Sequence, residues 1–377
     1  MKLGIDISSQ KELDEIGAKY FYKGKQIEPF NFFASHCHIS TARFRLWVDP
    51  YDEEGHPYGG GTNDLDTFIE LAKRSQKEGM KVMLDFHYSD FYVDPSRQKL
   101  PKSWTKYHNF LEILKVMYEY TLNTLKTIKE NGIDLIAIQV GNEITHGFLW
   151  PYGDIEKEYS EDSGGGFKGF TMLLKEAIKA CKEIYPNAKT LLHLEHSGSY
   201  DMQDWFFSNI VKNNVEFDVI GESYYPYWHG PFSMFESCIK KLKEKYKKEI
   251  WVVELGYQFE ETINPNYDEV TDAVEGDFII GNVNGRIPYP QTKKGQADYI
   301  AKIIDICKKV GVEMLFYWEP TWIYMENNGW ASEAGQRYCG LEPMPPVNSW
   351  IIETLFDQKG EANEAVEVFN QDYVDSI

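Results

Sequence analysis

Runs of apolar residues that end abruptly on polar ones recur along the chain. Val82–Ser89, Leu135–Glu143, Thr190–His196, Val219–Tyr225 and Ile250–Gly256 are apolar on several successive residues before they turn polar. That pattern marks strands buried on both faces. Leu3–Ser8, Thr41–Val48 and Val312–Glu319 complete a set of eight strand candidates. Between them, apolar positions recur at helical spacing. Asn63-Asp64 can cap a helix carrying Leu65, Phe68, Ile69 and Ala72, with Lys77 near its end and Gly79 just beyond. Phe110 to Glu130 repeats the pattern with Leu111, Leu114, Met117, Leu122 and Leu125, and Thr171–Ile184, Ser233–Tyr246 and Gly295–Val310 follow. Strands alternating with helices predict an α/β fold closed as a (β/α)₈ TIM barrel, with a doubly wound open sheet as the alternative. No linker, low-complexity tract or repeat interrupts the pattern, so 1–377 reads as a single domain. Tyr152–Phe167 and Gln258–Pro290 resist periodic reading, and are expected to be long βα-loops on the C-terminal face.

The strand ends carry the candidate chemistry. Ile138-Gln139-Val140-Gly141 climbs to Asn142-Glu143, and Ile250–Val253 ends on Glu254. In a barrel all strands end on one rim, so two carboxylates far apart in sequence can face each other there. A proton donor and a second carboxylate about 5 Å apart are what retaining cleavage of a glycosidic bond needs. A strand-end carboxylate alone more often caps a helix or pairs with a cation. Arg43 and Arg45 fall on one side of their strand by period two, and an Arg beside a carboxylate keeps it ionised. The alternative for Arg43 is a structural ion pair inside the barrel. Asp85 and His87 close the third strand, where a positioning role is expected for His87.

Composition narrows the partners. Lys plus Arg number 39 and Asp plus Glu 59, a formal charge of −20. Such a surface repels nucleic acid and anionic membranes and leaves a neutral substrate unopposed. Five cysteines stand far apart with no CxxC, which disfavours a disulfide framework or zinc site and fits a reducing compartment. His36, His38, His193 and His196 form no HExxH and read as ordinary core or loop residues. The acidic run Asp268, Glu269, Asp272, Glu275 and Asp277 lacks EF-hand spacing and reads as solvated. No metal or other cofactor is expected. No apolar run reaches transmembrane length, and the first residues carry no secretory h-region. A cytoplasmic chain is therefore expected, or a secreted one if a leader has been removed.

Taken together, several runs are specific. They are GIDISS at 4–9, RFRLWVDP at 43–50, LDFHYSDFYVDP at 84–95, QVGNEITHGFLWPYG at 139–153, VIGESYYPYWHG at 219–230, VVE at 252–254 and FYWEPTWI at 316–323. In these the chain resembles the endo-β-1,4-galactanases of glycoside hydrolase family 53, retaining (β/α)₈ glycosidases, nearly end to end. The resemblance implies roles. Glu143 matches the general acid/base, Glu254 the nucleophile, and Asn142 the group that holds the sugar 2-hydroxyl. Arg45 and Tyr224 match groups that orient and stabilise the nucleophile. Asp85 and His87 fall in the cleft floor, and Trp318 matches the platform under the sugar. Trp228 and Trp150 extend the rim. The implied substrate is neutral galactan or type I arabinogalactan of pectin, or oligosaccharides derived from it, taken by a monomer. The ionised Glu254 would hold a proton on Glu143 until the sugar esterifies Glu254.

Two departures stand out. Glu222 replaces a residue that is more often apolar in the family, and the seventh loop lacks the Asp-x-Asp-x-His spacing of calcium-binding members, so calcium is not expected. Two other readings compete: another β-1,4-glycanase such as a mannanase, and a carbohydrate-binding barrel without activity.

Overall fold

The computed structural model describes residues 1–260, 288–346 and 348–377. Eight parallel strands close into a barrel. They are β1 (Lys2–Asp6), β2 (Thr41–Leu46), β3 (Lys81–Phe86), β4 (Leu135–Val140), β5 (Lys189–Leu194), β6 (Val219–Tyr224), β7 (Glu249–Leu255) and β8 (Met314–Trp318). Each pairs with its sequence neighbours, and β1 closes the ring against β8 with Lys2 opposite Met314 and Asp6 opposite Trp318. The open-sheet alternative is excluded by that closure.

Helices cover the outside: α1 (Pro29–Ser35), α2 (Leu65–Lys77), α3 (Phe110–Glu130), α4 (Gly166–Ile184), α5 (Tyr200–Lys212), α6 (Phe232–Tyr246), α7 (Lys293–Val310) and α8 (Gln371–Ser376). Asp64 caps α2 by accepting from Thr67 N, as its sequence predicts. In α3 the buried face is Phe110, Ile113, Leu114, Met117, Thr121, Thr124, Leu125 and Ile128, while Leu111 is 66% exposed. Leu111 lies off that face because the buried stripe recurs at intervals of three and four from Phe110. Helices α1, α5 and the short α8 escaped the sequence reading. The first is a seven-residue run of mixed character, and α5 buries only Gln203, Phe206, Phe207 and Ile210. Gln258–Glu260 and residues 288–290 bracket the seventh βα-loop, and the acidic run 268–277 lies outside the described residues.

The barrel interior changes character along its axis. Met83, Ala137, Leu191, Val219, Trp251, Val253, Met314 and Phe316 pack together inside the barrel. Two residues further along β3, β4 and β5 the inward positions turn polar: Met83 gives way to Asp85, Ala137 to Gln139, Leu191 to His193. The intervening residues, such as Leu84, Ile138, Leu192 and Tyr224, join the core under the helices. The strands thus build an apolar plug below and a polar floor above, at the rim where their C-termini meet.

Candidate active site

The polar floor is organised by Arg43. This guanidinium is fully buried. Its Nη1 donates to Asp6 Oδ2 at 2.8 Å and its Nε to Gln139 Oε1 at 3.1 Å. Its Nη2 lies 2.9 Å from Asp85 Oδ2, 3.2 Å from Asn142 Oδ1 and 3.0 Å from Glu254 Oε1. One side chain from β2 therefore reaches β1, β3, β4 and β7. A buried cation needs such anionic partners, because desolvation would otherwise expel it.

Glu254 points inward because of a bulge. Opposite Glu222 stands Val252, and opposite Ser223 stands Glu254, so Val253 is an extra residue. Strict alternation from Trp251 and Val253 would turn Glu254 toward the helices; the bulge turns it back. Burial pushes its carboxyl up to about 7, while Arg43 pulls it down and Asp6 and Asp85 push it up again. Tyr225 Oη donates to Glu254 Oε2 at 3.4 Å.

Glu143 stands on a kinked backbone. Gly141 has φ +86° and Glu143 has φ +48°, the left-handed region that costs a side-chain-bearing residue energy. Gln98 Nε2 holds the kink by donating to the carbonyls of Asn142 and Glu143 at 2.9 and 3.2 Å. Ser223 Oγ donates to Glu143 Oε1 at 2.8 Å. Burial first, then the charges of Glu254 and Glu195, push Glu143 well above the ordinary carboxylate range, and Ser223 opposes them weakly. The two carboxyls act on each other but have different supports. Glu254 has an arginine and Glu143 has a hydroxyl, so Glu254 ionises first and Glu143 keeps the proton.

Asn142 is held on both ends. Its Nδ2 donates to Val93 O at 3.0 Å, and its Oδ1 faces Arg43 and, at 2.9 Å, His193 Nδ1. His87 Nε2 lies 3.1 Å from Asp85 Oδ2, and its Nδ1 accepts from Val93 N at 3.3 Å, so His87 sits in the floor beside Asp85. Trp318 is 8% exposed, edge-on to Trp350 at 4.6 Å. Trp228 is 43% exposed on the short helix Pro226–His229. Trp150 is half-buried, its Nε1 donating to His146 O at 3.0 Å.

Three expectations need correction. Arg45 does not reach Glu254. Its Nη1 pairs with Glu319 Oε1 at 2.5 Å and its Nη2 donates to Gly60 O. Arg45 sits one inward position further toward the rim than Arg43, which takes the contact instead. Tyr224 faces outward, packs on Phe235 at 4.3 Å and donates to Gly230 O. Alternation along β6 gives Ser223 the inward position, and Tyr225 beyond the strand end turns in. His193 is no ordinary core residue: it bridges Asn142 and, through Nε2 at 2.8 Å, Ser223 Oγ. Period two from Leu191 places it inward, a signal present in the sequence. Glu195 was also missed. It is nearly buried, accepts from Thr145 Oγ1 at 2.8 Å and is pushed up to about 7 by burial. Glu222 faces away from the cleft, toward Gln203 on α5 at 2.8 Å. Among the described residues no cluster of three or more His, Cys, Asp or Glu is arranged to hold a metal ion, and no helix is long and apolar enough to cross a membrane.

A closed (β/α)₈ barrel with a half-buried glutamate just past β4 and a buried one at the end of β7, each raising the proton affinity of the other, is an arrangement suited to a glycosidase of the carboxylate-pair class. The pattern of Glycosyl hydrolase family 53 matches residues 2–369, and the chain belongs to that family. It is a glycoside hydrolase, and its substrate is a carbohydrate. An endo-β-1,4-galactanase of Bacillus subtilis is 31% identical over 97% of this chain and 84% of that one. An arabinogalactan endo-β-1,4-galactanase of Thermothelomyces thermophilus is 28% identical over 98% of both. The GH53 catalytic domain of Ignisphaera aggregans superposes with a TM-score of 0.84 at 32% identity, covering 97% of this chain and 94% of that one.

Proposed function

We propose that this chain, acting as one monomeric catalytic unit over 1–377, hydrolyses internal β-1,4-galactosidic linkages of galactan or type I arabinogalactan with retention. Glu254 attacks the anomeric carbon while Glu143 gives its proton to the departing oxygen. Esterification of Glu254 removes its charge, and Glu143 then ionises more readily and takes a proton from the attacking water. Asn142 holds the 2-hydroxyl of the sugar, and Asp85 and His87 meet its other hydroxyls. Trp318 lies under its C–H face. Arg43 and Tyr225 stabilise the Glu254 carboxylate, and Arg45 keeps the wall near Glu319 in place. The scheme uses no cofactor.

The observation that carries this reading is the unequal support of the two glutamates, an arginine for Glu254 and a serine hydroxyl for Glu143. The names of the relatives supply the galactan assignment. Incubation with β-1,4-galactan, with products sized and the new anomer followed by NMR, tests it. Initial release of the β-anomer as oligosaccharides is expected. Early α-anomer would overturn retention, and cleavage of mannan but not galactan would overturn the substrate. Glu143→Ala and Glu254→Ala should each lower turnover of galactan by at least ~10³-fold.

A further inference from the structure

Glu353 is a buried carboxyl that the chemistry above leaves unused. It closes the 3₁₀ turn Ser349–Ile352 beyond β8 and is 1% exposed. Tyr227 Oη lies 2.6 Å from its Oε1 and 2.8 Å from its Oε2. That Oε2 sits against Gly256, two residues past Glu254, where a Cβ would collide with it. The Glu353 carbonyl accepts from Tyr317 Oη at 2.6 Å and from Gln296 Nε2 at 3.3 Å, and its amide donates to Trp350 O at 2.8 Å. One residue therefore fastens the loop after β6, the end of β7, β8 and α7 to one another.

Two lines of contact lead from it to the cleft. Tyr227 packs on Tyr225 with ring centroids 5.7 Å apart, and Tyr225 reaches Glu254. Trp350, three residues before Glu353, meets Trp318 at 4.6 Å, Tyr225 at 5.4 Å and Trp228 at 6.1 Å. The turn that Glu353 closes thus carries the ring that backs Trp318. Among the described residues no lysine, arginine or histidine pairs with Glu353. The titratable groups facing it are Tyr225 and Tyr227 from the loop after β6, Tyr257 from beyond β7 and Tyr317 on β8. All four phenols are pushed above their ordinary range, so none supplies charge. Burial pushes the Glu353 carboxyl up to about 8, and Tyr227 offsets only part of that. Protonated, the group can accept from Tyr227 and offer its own hydrogen in return. Ionised, it is a buried charge without a cation, which is costly.

We propose that Glu353 is a positioning residue for the reaction: its carboxyl, wedged between Gly256 and Tyr227, holds Trp350 behind the Trp318 platform and Tyr225 on Glu254. The part that concerns sugar rests on the function proposed above. Linkage fixes the sign. With the wall open the carboxyl titrates near its ordinary value, so closure is fully favoured below that value. The advantage falls as pH rises to about 8 and stays low beyond.

Glu353→Gln keeps the shape, can accept from Tyr227 and donate to it, and does not ionise. Calorimetry of galactotetraose binding to the intact enzyme compares it with wild type. Glu143 and Glu254 titrate in both proteins, so their contributions cancel in the ratio of dissociation constants. At pH 5 the two proteins should bind alike, and by pH 9 the wild type should weaken ~10-fold relative to the variant. Glu353→Ala should weaken binding ~10-fold already at pH 5, and Gly256→Ala should do so in the wild type but far less in the Glu353→Ala background, where the space is free. A ratio that does not move with pH, or a Gln variant as weak as the Ala variant at pH 5, would overturn the proposal. Acrylamide quenching of tryptophan needs no sugar. It should increase from pH 5 to pH 9 in the wild type and stay flat in Glu353→Gln and in Trp350→Phe. That pattern in an enzyme that neither binds galactotetraose nor cleaves galactan would overturn the function and leave the positioning in place. Flat quenching in the wild type would overturn the positioning itself.

Discussion

Arg43 Nη2 lies 3.0 Å from Glu254 Oε1, with the guanidinium wholly buried. The same nitrogen also meets Asp85 and Asn142, so the group that stabilises the Glu254 carboxylate also aligns the residue beside Glu143. A lysine keeps the charge but has no planar fork to reach four strands at once. Arg43→Lys should lower kcat on galactan by ~10²-fold or more. Arg43 lowers the pKa of Glu254, so weakening the contact raises it. The acid limb of kcat/KM should therefore move to higher pH in the variant. An acid limb that stays put would show that Arg43 does not set the ionisation of Glu254.

The Ser223 contact predicts the other limb. Ser223 Oγ donates to Glu143 Oε1 and so favours the carboxylate. Ser223→Ala removes that donor, and the pKa of Glu143 should rise further. The basic limb of the pH profile should shift to higher pH, and kcat should fall ~10-fold as the carboxyl loses its orientation. A basic limb shifted downward would contradict the sign of this contact.

His193 adds a measurable detail. Burial, with Arg43, His87 and His229 nearby, keeps its pKa well below the ordinary value, so the ring is neutral and carries one N–H. Nδ1 faces both an acceptor, Asn142 Oδ1 at 2.9 Å, and a donor, Gln139 Nε2 at 3.0 Å. Each tautomer satisfies one of them. If Ser223 gives its hydrogen to Glu143, its oxygen can accept only from Nε2–H, which selects that tautomer. Nitrogen NMR of the imidazole should show the Nε2–H form in the wild type and more of the Nδ1–H form in Ser223→Ala.

Glu222 predicts stability, not activity. It is wholly buried away from the cleft, with burial and Glu195 pushing its pKa well above the ordinary value. A carboxyl raised in the fold stabilises it fully below the unfolded value, and that contribution is lost as pH rises through the folded one. Glu222→Gln keeps the acceptor for Gln203 and removes the ionisation. Its melting temperature relative to wild type should therefore rise between pH 4 and pH 8, with kcat unchanged. A difference independent of pH would show that Glu222 does not titrate with folding.

Much of this was legible from the chain because barrel strands write their pattern locally. Apolar runs ending on Asn142-Glu143 and Glu254 gave the rim, and period two put Arg43 and Arg45 inside. What stayed hidden depends on register. A one-residue bulge at Val253 decides where Glu254 points, and nothing local announces it. The choice between Arg43 and Arg45 depends on how deep each sits against β7 and β8. Helix α5 was missed because its buried stripe is short and mixed with Gln203, and Glu195 because a lone glutamate past a strand end has no pattern of its own.

Tyr224 and Tyr225 make the sharpest comparison, since they are neighbours with opposite orientations. Tyr225 Oη lies 3.4 Å from Glu254 Oε2, and its pKa is pushed far up by burial and by the charges of Glu254, Glu353 and Glu143, so it remains a donor. Tyr224 spends its hydroxyl on Gly230 O, under the helices. Losing the Tyr225 hydroxyl leaves Glu254 with one donor fewer, raising its pKa and weakening its hold as the ester forms and breaks. Tyr225→Phe should lower kcat ~10-fold and move the acid limb upward. Tyr224→Phe breaks a hydrogen bond to a loop carbonyl, costs about 1 kcal/mol of stability and leaves the acid limb in place. Paired pH profiles and melting curves separate the two, and an acid limb that moves with Tyr224 and not with Tyr225 would reverse their assignment.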